Sequence, residues 1–180
     1  TAQKKTLNDL GFFEAVPVEL GEASRTKPQI PKNWSDTSTI TISFGHGISA
    51  TPLHLATAYS IVANGGFRVK PTIKKVNSNN LAKEKVISQK TSQQLISMLR
   101  RVVSEVDGTA KMAKVDGYQV AGKTGTADKI KPTGGYYDKK VIATFASFFP
   151  ASNPKYTLVV SLDEPEIEVL GETYFSAGRT

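Results

Sequence analysis

The most regular pattern of apolar residues in the chain predicts a helix from Thr51-Pro52 to Ala63. Threonine followed by proline is typical of a helix N-terminus, since the hydroxyl caps free amides and proline fits the first turn. Apolar residues lie almost all round this helix, so we expect it to be buried. Asn64-Gly65-Gly66 predicts its end, because glycine readily adopts the left-handed conformation that terminates helices.

A second helix is predicted to begin near Ser88 or Thr91 and to end at Asp107-Gly108. Its apolar residues recur at spacings of three and four, which directs one stripe toward a core. These residues are Leu95, Met98, Leu99, Val102 and Val103. Residues 1–39 are predicted to be rich in loops after a short helical start, because glycine and proline interrupt them often.

The last third of the chain is predicted to be β structure. Residues 120–127, 141–149 and 156–162 are three strand candidates, and consecutive strands pair most simply as an antiparallel meander. Residues 132–137 are predicted to form the loop between the first two. The run from Thr39 to Phe44 alternates strictly between polar and apolar residues, which predicts a further strand or extended segment.

Length and composition fit one folded domain. The chain has 180 residues, 39% of them hydrophobic, and no apolar run reaches the roughly 18–20 residues that a membrane-spanning helix needs. The sequence opens Thr1-Ala2-Gln3, without methionine or a signal peptide, so we expect a processed end or a boundary within a longer protein. Cysteine is absent, which excludes disulfides and thiolate chemistry.

The formal charge of +7 raises the possibility of nucleic-acid binding. The basic residues, however, occur in scattered pairs such as Lys74-Lys75 and Arg100-Arg101. No aromatic residues interleave with them as a base-stacking surface would require. We therefore expect a solvated basic surface and no nucleic-acid partner.

Two patterns could indicate a cofactor or a metal ion, and the residues around them argue against both. Gly45 to Ala50 matches the dinucleotide pattern G-x-G-x-x-A, but Pro52 starts the helix too late for it. No acidic residue for a ribose occurs between Asp36 and Glu84. His46 and His54, the two histidines, are predicted to be a loop residue and a helix-surface residue. The sequence therefore predicts neither a cofactor nor a metal site.

The Lys123-Thr124-Gly125-Thr126 run carries the sharpest chemical signal. Lysine and two hydroxyls on a strand can bind an anionic terminus, and glycine lets a substrate backbone approach the strand edge. The next backbone amide can face a developing oxyanion. A bare tripeptide recurs by chance, and an ordinary edge strand with a bulge at Gly125 is the alternative reading of these residues alone.

The wider context of this run resembles a known family. Residues 121–127 read Ala-Gly-Lys-Thr-Gly-Thr-Ala, after a Gly-Thr-Ala turn at 108–110, and Ser43 to Leu53 forms a second signature upstream. This order resembles the class B penicillin-binding proteins, most closely the septal, cell-division type. The resemblance implies an α/β fold of the α+β type, in which helices pack on an antiparallel sheet as part of the serine β-lactamase and transpeptidase fold. Residues 1–180 would be the C-terminal portion of the transpeptidase domain, without its nucleophile-bearing N-terminal portion and its last helix.

The resemblance also implies roles for individual residues. Lys123, Thr124 and Thr126 would hold the terminal carboxylate of a D-Ala-D-Ala stem peptide or a β-lactam, beside Gly125. The backbone amide of Thr126 would supply half of an oxyanion hole. Two aromatic residues would line the pocket, Tyr137 and Phe175. The family uses no cofactor.

Partners and location are likewise implied by the resemblance. They are the stem peptide, β-lactam antibiotics, the upstream part of the same protein and membrane proteins of the division machinery. The domain would face the periplasm or outer cell surface, anchored through an N-terminal helix that is not in this sequence.

The nucleophilic serine and its lysine base would lie upstream of this sequence. The pattern S-x-x-K does occur at 24–27 and 152–155, but Pro28 and Pro154 break the helix that the motif needs. Ser78-Asn79-Asn80 matches S-x-N within a polar turn. We expect none of these three to be catalytic and the isolated chain to be inactive. The alternatives are a non-catalytic binding or scaffold module and a β-lactamase relative.

Overall fold

A computed structural model of the protein describes residues 1–77, 81–169 and 172–178. The chain forms two compact units, Thr1–Gln94 and Leu95–Thr180. The α-helices of the described residues are α1 (Ala2–Asp9), α2 (Asp36–Ser43), α3 (Pro52–Ala63) and α4 (Gln89–Ser104). The strands of the same residues are β1 (Phe67–Val69), β2 (Lys83–Lys85), β3 (Ala121–Ile130), β4 (Tyr136–Phe149), β5 (Tyr156–Asp163), β6 (Ile167–Val169) and β7 (Glu172–Tyr174).

Helix α3 begins where the sequence predicted. The Thr51 hydroxyl accepts a hydrogen bond from the His54 backbone amide, and the His54 ring reaches back to Thr51. These reciprocal bonds satisfy two amides that a helix N-terminus otherwise leaves free. Fewer side chains of α3 are buried than predicted, because only His54, Ala58 and Ile61 of this helix are buried.

The prediction that His54 lies on the helix surface is wrong. Its side chain is 2% exposed, with Nδ1 2.7 Å from the Thr51 hydroxyl and Nε2 2.8 Å from the Glu14 carbonyl oxygen. Two partners for two ring nitrogens allow the imidazole to be buried without an unsatisfied polar atom. His54 is therefore a structural residue of this unit, and His46 lies in a loop, as predicted.

The strand predicted from Thr39 to Phe44 is also wrong, because Asp36–Ser43 forms α2. Ser35 caps this helix by accepting a hydrogen bond from the Ser38 amide, while the Ser38 hydroxyl accepts one from the Ser35 amide. This capping box outweighs the modest strand preference of the β-branched residues that follow. Within α2 only Ile42 is buried.

The end of α3 confirms the predicted glycine cap. Gly65 and Gly66 have φ values of 68° and 92°, in the left-handed region. The Gly66 carbonyl accepts hydrogen bonds from the amides of Val86 and Ile87 at 2.9 and 3.2 Å. Those bonds join the end of α3 to the antiparallel pair of β1 and β2.

The second unit confirms the predicted meander. Strands β3, β4 and β5 pair antiparallel in sequence order, and β6 pairs antiparallel with β7. Val103 on α4 packs with Ala110 and Val120 in a buried cluster beneath this sheet. The apolar stripe predicted to face the core from α4 does not include Met98, which is 54% exposed.

Strand β5 forms an apolar edge of the sheet among the described residues. Within the described residues it pairs only with β4. Four of its alternate side chains are more than two-fifths exposed: Tyr156, Leu158, Val160 and Leu162. Such an edge is a site for further packing or strand pairing. No helix in the described part of the chain has both the length and the apolar character to cross a membrane.

Candidate functional site

The Lys123–Thr126 segment lies within β3, on the edge of the three-stranded sheet. Its pairing with β4 is regular, with Gly125 opposite Thr144, and the only irregularity of this ladder falls between Asp128 and Ile130. The alternative of a bulge at Gly125 is therefore wrong. A Cβ built on Gly125 would meet no atom within 4 Å, so the chain's own packing does not require glycine there.

The Lys123 ammonium is surrounded by neutral oxygen atoms. Its Nζ lies 2.9 Å from the Thr124 carbonyl oxygen, 3.4 Å from the Thr124 hydroxyl and 3.5 Å from the Thr109 hydroxyl. Among the ion pairs of the described residues, none includes Lys123. An exposed ammonium beside hydroxyls and without a carboxylate partner is suited to binding an external anion.

Thr109 is a site residue that the sequence alone did not indicate. It lies in the turn that follows α4, and the Thr124 hydroxyl donates to its hydroxyl at 3.3 Å. In the sequence, the Gly-Thr-Ala turn at 108–110 belongs to the pattern that resembles the family and has no chemical signal of its own. Its 14-residue separation from Lys123 gave no local signal that the two side chains meet.

Thr126 contacts the end of the described chain. The Ala177 amide donates a hydrogen bond to the Thr126 hydroxyl at 3.1 Å. A cavity of about 250 Å³ opens beside Thr124 and is bordered by Thr109, Ala110, Phe145, Ala177 and Gly178 among others. The segment therefore has a pocket on one side and open space at Gly125.

Of the two aromatic candidates, only Tyr137 can be placed at a distance from this segment. Tyr137 belongs to β4, not to the predicted loop, about 20 Å along that strand from Ala143, the partner of Thr126. Its ring faces the ammonium groups of Lys131 and Lys140 at 5.8 and 5.4 Å. Phe175 is half-buried just after β7.

An ion-pair cluster lies near Tyr137. The carboxylate of Glu164 accepts hydrogen bonds from Lys129 at 2.7 Å and from Lys140 at 2.8 Å. These bonds lower the pKa of Glu164 from 4.5 to about 2, with Lys129 the larger cause. The cluster joins the ends of the three strands of the sheet.

This cluster predicts a pH-dependent contribution to stability. Because the pKa of Glu164 is lower in the folded protein, its contribution is present above pH 4.5 and is lost as the pH falls toward 2. Glu164→Gln should therefore reduce the difference in the midpoint of urea-induced unfolding between pH 7 and pH 3. Glu166→Gln is the matched control, and parallel curves for Glu164→Gln and wild type would contradict the expectation.

The S-x-x-K patterns have no suitable helix. Residues 152–155 lie in a turn. The pattern at 24–27 overlaps a single 3-10 turn (Ala23–Arg25), which ends before Thr26. Ser78-Asn79-Asn80 lies outside the described residues. Within the described residues, no group of three or more potential ligand side chains could hold a metal ion.

Comparison with known proteins identifies the family. The sequence model of the family described as the penicillin-binding protein transpeptidase domain matches residues 1–178. This chain belongs to that family. The transpeptidase-domain chain is 40% identical over 176 residues to penicillin-binding protein PbpB of Mycolicibacterium smegmatis, covering 89% of this chain and 27% of that protein.

Further relatives agree with this identification. Stage V sporulation protein D of Bacillus subtilis is 34% identical, with 90% of this chain and 26% of that protein covered. Penicillin-binding protein 3 of Mycobacterium tuberculosis, solved in complex with ampicillin, is 33% identical with a TM-score of 0.82. That comparison covers 97% of this chain and 42% of the solved chain.

The comparisons confirm the predicted family and the predicted fold. The helices and antiparallel sheets described above are those of a penicillin-binding transpeptidase domain. The chain spans about a quarter of the length of the curated relatives it matches.

Proposed function

We propose that this chain is the substrate-recognition part of a peptidoglycan D,D-transpeptidase that also binds β-lactams. The observation that carries the proposal is the Lys123 ammonium, which lies beside the Thr124 hydroxyl and has no ion pair among the described residues. A stem peptide ends in a carboxylate, and so does a penicillin that mimics it. An ammonium and hydroxyls on one strand edge bind such a group by charge-assisted hydrogen bonds.

The shape of β3 supports binding of an extended peptide. β3 pairs with β4 on one side, so its other edge can accept a further strand. Gly125 adds no side chain there, and the space where its Cβ would lie is open. We propose that the substrate backbone approaches β3 at this glycine while its carboxylate reaches Lys123, Thr124 and Thr126.

The amide of Thr126 is proposed as one donor of an oxyanion hole. In an antiparallel pair, residues two apart direct their backbone groups to the same edge. The Thr124 carbonyl accepts a hydrogen bond from the Lys123 side chain, which supports an outward direction for Thr124 and hence for Thr126. An amide at an open edge can donate to a negative oxygen that develops during acyl transfer.

The reaction itself would use residues upstream of this chain. A serine hydroxyl, losing its proton to a lysine, attacks the penultimate D-alanine carbonyl, and the terminal D-alanine leaves with a proton on its amine. The amine of a neighbouring stem peptide then attacks the serine ester, forming the crosslink and releasing the serine. Lys123 and Thr126 would bind the substrate and stabilise the oxyanion. Tyr137 and Phe175 are also proposed as residues of the pocket.

The cellular role is proposed from the names of the relatives. Relatives of this chain include the peptidoglycan D,D-transpeptidase FtsI of Buchnera aphidicola, at 36% identity. We propose crosslinking during septum formation, on the periplasmic or outer face of the membrane, with an upstream membrane anchor and division proteins as partners.

The test is intact-mass measurement after incubation with benzylpenicillin. The full-length protein should gain one acyl adduct that persists, while the 180-residue chain gains none. An adduct on the chain itself would contradict an upstream nucleophile and would make Ser24 the first residue to replace. No adduct on the full-length protein would favour a scaffold module, and an adduct lost within minutes would favour a β-lactamase.

A further inference from the structure

We infer that Thr109 is a positioning residue of the carboxylate-binding site, orienting both the Thr124 hydroxyl and the Lys123 ammonium. This inference rests on the proposed function, because it concerns the same site. Two contacts carry it: the Thr109 hydroxyl oxygen lies 3.3 Å from the Thr124 hydroxyl and 3.5 Å from the Lys123 ammonium. One oxygen atom thus meets the two side chains that are proposed to bind the substrate carboxylate.

The backbone on both sides of Thr109 is held in place, although its own side chain is exposed. Gly108 lies so close to α4 that an added Cβ would be 2.2 Å from the Val102 carbonyl oxygen. Ala110 is 3% exposed, and its amide donates to the same carbonyl at 3.2 Å. A side chain carried on a fixed backbone loses less conformational entropy when its hydroxyl forms hydrogen bonds, which favours preorganisation of a binding site.

The start of β3 is joined to the same helix. The Arg100 guanidinium on α4 donates to the Val120 carbonyl at 3.0 Å, one residue before β3 begins. Val120 also packs with Val103 and Ala110 in the buried cluster. The turn that carries Thr109 and the strand that carries Lys123 are therefore fixed to a common support, and the 3.3 Å contact does not depend on side-chain flexibility alone.

The hydroxyl of Thr109 suits the exchange of hydrogen bonds that carboxylate binding requires. The Thr124 hydroxyl donates a hydrogen bond to the Thr109 hydroxyl. A carboxylate only accepts, so on binding the Thr124 proton must turn toward it, and the Thr124 oxygen can then accept from Thr109. A threonine hydroxyl can play both roles, and a chain of two hydroxyls ending on an anion is strengthened by mutual polarisation.

The Thr109 hydroxyl oxygen also restrains the Lys123 ammonium without neutralising its charge. An acidic residue at position 109 would neutralise the ammonium, whereas a hydroxyl steadies it and leaves its charge for the ligand. Glu105 and Asp107 border the groove that Lys123 and Thr109 share, yet neither forms an ion pair with Lys123 among the described residues. The neutral Thr109 is thus the residue that restrains the ammonium from the side of α4.

The experiment compares acylation rates of the full-length protein by benzylpenicillin and by its methyl ester, which lacks the anionic carboxylate. Thr109→Val should lower the second-order rate for benzylpenicillin about tenfold, as expected for loss of a hydrogen bond to a charged network. The rate for the ester should stay within about twofold of the wild-type rate with the ester, because only the carboxylate uses this network. Thr109→Ser, which keeps the hydroxyl, should retain at least about half of the wild-type rate.

The matched control is Thr41→Val, which removes a threonine hydroxyl that donates within α2 to the Ser38 carbonyl at 3.2 Å. It should leave both rates unchanged. Equal losses by Thr109→Val with the acid and the ester would indicate a general structural defect and overturn the inference, as would an unchanged rate with benzylpenicillin. Absence of any adduct on the wild-type protein would overturn the proposed function and the inference together. If the wild-type protein is acylated, the proposed function stands, and the Thr109 variants then test the inference alone.

Discussion

Replacing Lys123 by glutamine should lower the acylation rate of the full-length protein by benzylpenicillin at least about a hundredfold. The ammonium is the only charged group shown within hydrogen-bond distance of the Thr124 hydroxyl among the described residues, so its loss leaves a carboxylate with neutral donors alone. Glutamine keeps much of the length and some hydrogen bonding, which assigns the loss to charge. The rate is measured by intact mass at several concentrations of benzylpenicillin.

The control for this variant is Lys155→Gln, which removes the exposed lysine of the S-x-x-K pattern at 152–155. It should acylate at the wild-type rate, which also tests whether that pattern is catalytic. If Lys123→Gln and Lys155→Gln both react like wild type, the Lys123–Thr126 segment does not bind the carboxylate. A large loss in Lys155→Gln alone would move the site to the turn at 152–155.

Replacing Gly66 by alanine should lower the free energy of unfolding by about 3 kcal/mol. Gly66 has a φ of 92°, which L-residues with a side chain rarely adopt. Its added Cβ would also lie 2.2 Å from the Ile87 carbonyl oxygen. Backbone strain and displacement of the Ile87 peptide therefore add, and the loss is measured as a lower midpoint of urea-induced unfolding of the full-length protein.

Gly21→Ala is the matched control, since an added Cβ there would meet no atom within 4 Å and φ is not positive. It should change the free energy of unfolding by less than about 0.5 kcal/mol. Equal midpoints for the two variants would show that the junction of α3 with the β1–β2 pair tolerates a side chain. That result would contradict the close packing of Gly66 against Ile87.

Local signals predicted the elements whose stability is local. The Thr51-Pro52 start and the glycine end of α3 were found because caps are made by residues a few positions apart. Helix α2 has such a signal as well, in the Ser35–Ser38 capping box. The strict alternation that starts at Thr39 is an equally local signal for a strand, so the sequence there carries two opposing signals.

Burial of single polar residues was not predictable in this way. His54 was predicted to lie on the helix surface, yet a carbonyl from Glu14, 40 positions earlier, meets its ring. A buried imidazole is stable only if both nitrogens have partners, and one of the two partners comes from a distant loop. The periodicity of α3 contains no information about that loop.

The sequence by itself determined the family, the three-stranded meander and the Lys123–Thr126 segment as the recognition candidate. These depend on ordered motifs and on alternation within short stretches, which are properties of neighbouring residues. Only the tertiary structure decided that Gly125 lies in a regular ladder beside open space and that Thr109 meets Lys123 and Thr124. The reason is that a contact across 14 residues depends on how the turn after α4 packs beside β3, and that packing is set by Val103, Ala110 and Val120 together.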